Sequence, residues 1–240
     1  MTTLSLEDFF RGAAGPARAG DVLAFRGTSE VDLFIQKTSL SGICHVAILV
    51  DSDAGAGLSV FEATGAGITL TPLETSLRAY AGPAEHHTCF YLPLSAATAA
   101  QMDAGKLRDF AHENVSEKYN YAGTVAAGLV ELESPLATKL VASLEGHPTL
   151  GHFVEIYERA RSEFWNRLFE LNPGYRRLFC SELVTAALDA AGVCCAPPWP
   201  NPRLVVPVQV CRFPIYRDSF QLNDFPPAPD DPFRWGGVAD

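Results

Sequence analysis

No apolar run in this sequence approaches the ~20 residues that a membrane-spanning helix requires. The opening stretch "MTTLSLEDFFRGAAGPARAGD" has no basic segment leading into an apolar core, as a secretory signal would. These two absences lead us to expect a cytoplasmic protein with no transmembrane segment. Positive charge is also scarce: 18 Lys and Arg stand against 28 Asp and Glu, a formal net charge of −10. Such a chain is repelled by phosphate backbones and anionic lipid, so nucleic acid is not expected among its partners. His86, His87 and Cys89 lie close together, but no second pair follows at zinc-like spacing, and no metal is expected. "TGAG" at 64–67 lacks the strand-to-helix setting of a dinucleotide loop and reads as a turn, which leaves no cofactor signal. Internal repeats are absent as well.

The six cysteines, Cys44, Cys89, Cys180, Cys194, Cys195 and Cys211, read as free thiols in a chain of this size without an export signal. Adjacent Cys194 and Cys195 are open to redox chemistry, although buried structural cysteine is the commoner use of the residue. With 240 residues and 48% hydrophobic content, the chain is long enough to bury a sizeable core.

After a short helix candidate at "SLEDFFRGA", the first third reads as strands and turns. "GDVLAFRG" is an apolar strand bounded by glycines, and "HVAILV" has the continuous apolar texture of a strand buried on both faces. "LSVFEAT", "GAGITLTPL" and "HTCFYLPL" complete an antiparallel unit. From Ser95 the spacing becomes helical: "SAATAAQMDAGKLRDFAHENV" reads as one helix capped by Ser95. "EKYNYAG" interrupts the pattern, and further helices are predicted over 124–171, the clearest being "HFVEIYERARSEFWNRLFELN". Beyond Gly192, expected to end a helix, "RLVVPVQVCRF" reads as an edge strand interrupted by Pro207. The remainder, 221–240, is a proline-rich tail.

Cys180 stands where "RRLFCSELVT" becomes helical, on the same face as Leu183, Val184, Ala187 and Leu188. The N-terminal end of a helix favours a thiolate, but position alone leaves a nucleophile and a small buried side chain both open. His45, at the mouth of the buried strand, is the candidate base. If the following turn centres on Asp53 and Ala54, antiparallel pairing sets Val50 opposite Gly57 and His45 opposite Glu62. A carboxylate there would fix the imidazole's tautomer and support its charged form. Glu62 in the apolar "SVFEAT" would otherwise be a costly isolated charge.

The order "GDVLAFRG", "CHVAILV", "VFEAT", "YNYAG" and "FCSELVTAALDAAGV" resembles the circularly permuted papain-like cysteine amidases, the YiiX-like branch of the NlpC superfamily, with His before Cys in the chain. The resemblance spans roughly 19–94 and 116–216, and its specific pieces are "FCSEL" and "HVAI". It implies an α+β, permuted papain-like fold in which an antiparallel sheet bearing His45 packs against the Cys180 helix, with Glu62 as the third polar member. One such domain would fill residues 1–240, with a mainly helical insertion at 95–173.

The activity so implied is hydrolysis of an amide bond in a peptide, amino-acid amide or N-acyl amine through a thioester on Cys180. The Cys180 N–H and a tyrosine, Tyr119 or Tyr121, are the candidate oxyanion donors; aromatic packing explains both tyrosines equally well. Two other readings stand beside it. One is acyl transfer or lipid-ester cleavage by the same thioester chemistry, with the aromatic "SEFWNRLFE" helix lining the pocket. The other is a non-catalytic module that binds a peptide or small amine. Substrate identity and oligomeric state are not encoded in any of these features.

Overall fold

A computed structural model describes residues 1–39, 41–52, 57–81, 87–115, 179–193, 205–222 and 233. Among the described residues the fold is α+β and is built on a seven-stranded sheet. Its strands are β1 (Thr2–Thr3), β2 (Val22–Arg26), β3 (His45–Asp51), β4 (Leu58–Thr64), β5 (Gly67–Pro72), β6 (Thr88–Leu92) and β7 (Phe220–Gln221). They lie in the order β1-β7-β6-β2-β3-β4-β5. The sheet is mixed rather than purely antiparallel, because β1 runs parallel to β7 at the edge. All other neighbours are antiparallel.

The described helices are α1 (Leu6–Phe10), α2 (Glu30–Thr38), α3 (Leu73–Tyr80), α4 (Ala96–Gln101), α5 (Ala104–Asn114), α6 (Cys180–Ala190) and α7 (Pro207–Cys211). Alternation along the strands sorts side chains into two cores, one on each face of the sheet. Val46, Ile48, Val50, Phe61 and Ala63 meet Leu183, Val184, Ala187 and Leu188 of α6 on one face. On the other face Leu23, Phe25, Ala47, Leu49 and Val60 meet Phe9 of α1 and Leu77 of α3. Helices on both sides account for the continuous apolar run in β3, whose five central residues are all buried.

Helix α6 ends as expected, with Gly192 at φ 80°, a left-handed conformation that favours glycine. Burial continues further round α6 than its apolar stripe: Ser181 Oγ donates to the Val205 carbonyl at 2.5 Å and Thr185 Oγ1 to the Ser181 carbonyl at 2.7 Å, which satisfies both hydroxyls.

Several local expectations are corrected. The helix predicted from Ser95 is two helices, because Met102 turns extended and the Asp103 carboxylate accepts from the Lys106 N–H at 3.1 Å, starting α5 afresh. Pro207 does not interrupt a strand; it begins α7, where its fixed φ suits the first helical position and its missing N–H costs nothing. Helices α2 and α3 were not foreseen within the β-rich first third. The signal for α2 is the capping box in "SEVD": the Ser29 hydroxyl accepts from the Asp32 N–H at 3.2 Å while the Asp32 carboxylate accepts from the Ser29 N–H at 3.1 Å. For α3 it is the spacing of Leu73, Leu77 and Tyr80 after Pro72. Residues 116–178, which hold most of the predicted helical insertion, lie outside the described residues. Within the tail, Phe233 packs edge-on against Phe90 with ring centroids 5.5 Å apart, and its carbonyl accepts from Arg212 Nη1 at 2.9 Å.

Candidate active site

One end of the sheet gathers the chemistry-bearing side chains. His45 opens β3, Glu62 lies near the end of β4, Tyr80 closes α3, and Cys180 begins α6. The β3–β4 register sets Val50 opposite Ser59, not Gly57, with Ile48 opposite Phe61. Continued toward His45, that register makes Glu62 its diagonal neighbour, so the two residues are not directly opposite. The expected pairing was off by two positions. Because side chains alternate with a period of two, an even offset keeps both residues on the same face. Diagonal neighbours lie within reach of long side chains, and His45 Nε2 meets Glu62 Oε2 at 2.8 Å.

The Glu62 side chain is 5% exposed and that of His45 14%. Glu62 Oε2 also accepts the Tyr80 hydroxyl at 2.8 Å. Since a carboxylate only accepts, the contact with Glu62 assigns a proton to His45 Nε2. Burial alone would lower the His45 pKa. The hydrogen bonds and charges of Cys180 and Glu62 outweigh it and push the pKa up to about 10, so the imidazole is held in its protonated form at neutral pH. Burial, reinforced by the Glu62 charge, drives the Tyr80 hydroxyl far above its ordinary range and keeps it a donor.

Cys180 is 1% exposed. The residue before it, Phe179, is extended and offers no side-chain cap. The Leu183 N–H is bonded to the Phe179 carbonyl at 2.8 Å as the first turn of the helix closes. The backbone N–H groups ahead of it, that of Cys180 included, belong to the electropositive helix start.

A second cysteine, Cys44, sits beside a second carboxylate and imidazole but in a different state. Its Sγ donates to the Phe25 carbonyl and accepts from the Gly27 N–H, each at 3.2 Å. Burial, followed by the charge of Asp32, pushes this thiol well above its ordinary pKa. Asp32 lies 3.4 Å from His87 Nε2. Burial opposes ionisation of Asp32, but hydrogen bonds from His87 and Ser29 prevail and hold it well below the usual carboxylate range. Gly27 is required where these groups converge, since a Cβ there would collide with the Asp32 carboxylate and His87 Nε2. Cys44 is thus a structural thiol. Burial likewise pushes Cys89 and Cys211 far above the ordinary thiol range.

The structure therefore hydrogen-bonds His45 to Glu62 and sets Cys180 close enough to raise the His45 pKa. Tyr119 and Tyr121, together with Cys194, Cys195, His86, His147 and His152, lie outside the described residues. Sequence reasoning missed Tyr80 and Phe25, whose rings pack at 4.4 Å between centroids beside His45. Among the described residues no group of three or more His, Cys, Asp or Glu could hold a metal ion. No described helix is long and apolar enough to cross a membrane.

No family model matches the chain, and no curated protein matches it. Among solved structures, the crystal structure of metalloprotein yiiX from Escherichia coli O157:H7, DUF1105, aligns over 92% of this chain and 94% of that one, at 15% identity and a TM-score of 0.42. A likeness of that extent carries no argument about this chain's activity or metal content.

Proposed function

We propose that this protein is a cysteine-dependent hydrolase of amide bonds, with Cys180 as nucleophile, His45 as general acid and base, and Glu62 as the group that orients and charges His45. The supporting observation is that the His45 imidazole hydrogen-bonds Glu62, while Cys180 at the start of α6 is close enough to help raise the imidazole's pKa. A protonated imidazole is the neighbour that a thiolate needs. The chain order of His45, Glu62 and Cys180 fits the permuted papain-like arrangement that the sequence resembles.

In this mechanism the Cys180 sulfur attacks the carbonyl carbon, and the oxyanion forms against the Cys180 N–H at the start of α6. Collapse breaks the C–N bond, and the departing amine takes its proton from His45. Water then attacks the thioester and gives its proton to His45. The carboxylic acid leaves, and the sulfur of Cys180 and the proton on His45 return to their starting places. Glu62 accepts from Nε2–H throughout and stabilises the imidazolium without itself becoming protonated.

The lipid-ester alternative drew on "SEFWNRLFE", which lies outside the described residues, and no contact among the described residues favours it. Purified protein would be screened against amino-acid amides, peptides and N-acyl amines, with the acyl-enzyme trapped by acid quench and intact mass. An adduct on Cys180, absent from Cys180→Ala, is the expected result. Turnover that survives Cys180→Ala would remove this reading, and unchanged substrates with no adduct would favour the non-catalytic binding module.

A further inference from the structure

Helix α3 ends against the candidate site, and its last residue is packed on three sides. The Tyr80 ring lies 4.4 Å from Phe25, 6.1 Å from His45 and 5.2 Å from His87, measured between centroids. The fully buried Leu77, one turn earlier, anchors the helix in the core formed by β2, β3, β4 and α1. Held in this way, the Tyr80 hydroxyl donates at 2.8 Å to Glu62 Oε2, the same oxygen that contacts His45 Nε2.

We propose that Tyr80 is a positioning residue of this site, whose hydroxyl fixes the Glu62 carboxylate in the one orientation that holds His45 toward Cys180. The proposal deepens the cysteine-hydrolase reading and rests on it for its catalytic consequence. The physical need follows from the glutamate side chain. Its terminal torsion is broad and roughly two-fold, so a carboxylate held by a single imidazole can turn. Two donors converging on Oε2 from different directions, one on β3 and one on α3, remove that freedom. The other titratable groups around the pair are Cys180 on α6, Cys44 beside His45, and His87, which faces Tyr80 and is itself paired with Asp32 on α2. None of the hydrogen bonds described for them reaches Glu62, so Tyr80 is the described donor other than His45 that can set its orientation.

A positioning role and a merely electronic one predict opposite signs. If the hydroxyl only drew charge from the carboxylate, its removal would concentrate charge toward His45 and raise the imidazole's titration midpoint. If it holds the carboxylate in place, its removal lets Glu62 turn away, and the midpoint falls.

The test is an NMR titration of isotope-labelled His45 in a Cys180→Ala background, where no thiol couples to the ring and no turnover is needed. Tyr80→Phe keeps the ring packing and removes only the hydroxyl. The expected result is a fall of the His45 midpoint by about one unit, with the drop abolished when Glu62→Met, which removes both carboxylate oxygens, is already present. In protein with Cys180 intact, Tyr80→Phe is expected to slow iodoacetamide alkylation of Cys180 about tenfold. An unchanged or raised midpoint, or an equal fall in the Glu62→Met background, would overturn the positioning role. Failure of the hydrolase reading would appear elsewhere, as absence of any acyl-enzyme, while the titration still decides the role of Tyr80.

Discussion

His45 Nε2 at the start of β3 and Glu62 Oε2 near the end of β4 lie 2.8 Å apart, and Tyr80 closes on the same oxygen from α3. The contact therefore depends on side-chain length and on a third element, as well as on strand register. Its consequence is a histidine held protonated beside a cysteine at a helix start.

That state predicts thiol selectivity. Cys180 is expected to be alkylated ahead of Cys44, Cys89 and Cys211, each of which is driven toward the neutral thiol by burial. Limited iodoacetamide treatment at neutral pH followed by peptide mapping reads the order directly. Modification of Cys44, Cys89 or Cys211 first would refute the assignment.

In the proposed mechanism Glu62 orients whereas Cys180 forms the bond, so their substitutions should differ in size. Cys180→Ala is expected to lower kcat by about 10⁴-fold or more, and Glu62→Gln by about 10- to 100-fold. Equal losses in two folded variants would give Glu62 a larger part than orientation.

The raised His45 pKa also makes a stability prediction with a definite sign. In the unfolded chain the imidazole titrates near ~6.5, and in the folded chain at about 10. The folded state therefore binds the proton more tightly, and its contribution is complete below the unfolded value. It is lost as pH rises through that window. The stability difference between the native protein and His45→Gln, from urea unfolding, should shrink between pH 6.5 and pH 10. A difference that grows with pH would contradict the assigned charge state.

Packing predictions separate a buried from an exposed helical leucine. Leu188 on α6 is fully buried against the sheet, so Leu188→Ala should cost about 2–5 kcal/mol. Leu33 on α2 is 44% exposed, and its replacement by Ala should stay within about 0.5 kcal/mol. Denaturant midpoints of the two variants provide the comparison.

How much of this was legible in the sequence depended on whether the signal was local. The glycine-bounded β2, the apolar β3, the α6 stripe and the Gly192 stop are periodicity and turn chemistry, and the chain carries them openly. The His45–Glu62 contact was found through a register that was wrong by an even number. A turn centred on Asp53 and Ala54 gives a register two residues from the observed one, where the connection runs from Ser52 to Gly57, and only the parity of that offset keeps the face right. Tyr80 escapes a sequence reading because its role is created by tertiary approach: in the sequence it is one more aromatic in a stretch read as strands and turns. Pro207 misled for the opposite reason, since the ring that excludes a residue from a strand interior also starts a helix well.

The most direct test of the central claim treats His45 and Cys180 as one unit. Turnover of the substrate revealed by the screen would be compared among the native protein, His45→Ala, Cys180→Ala and the double variant, each confirmed folded by circular dichroism. Either single replacement is expected to remove nearly all of the chemical step, and the second to cost little more. Losses that multiply cleanly in the double variant would show two residues acting independently and would contradict a shared site.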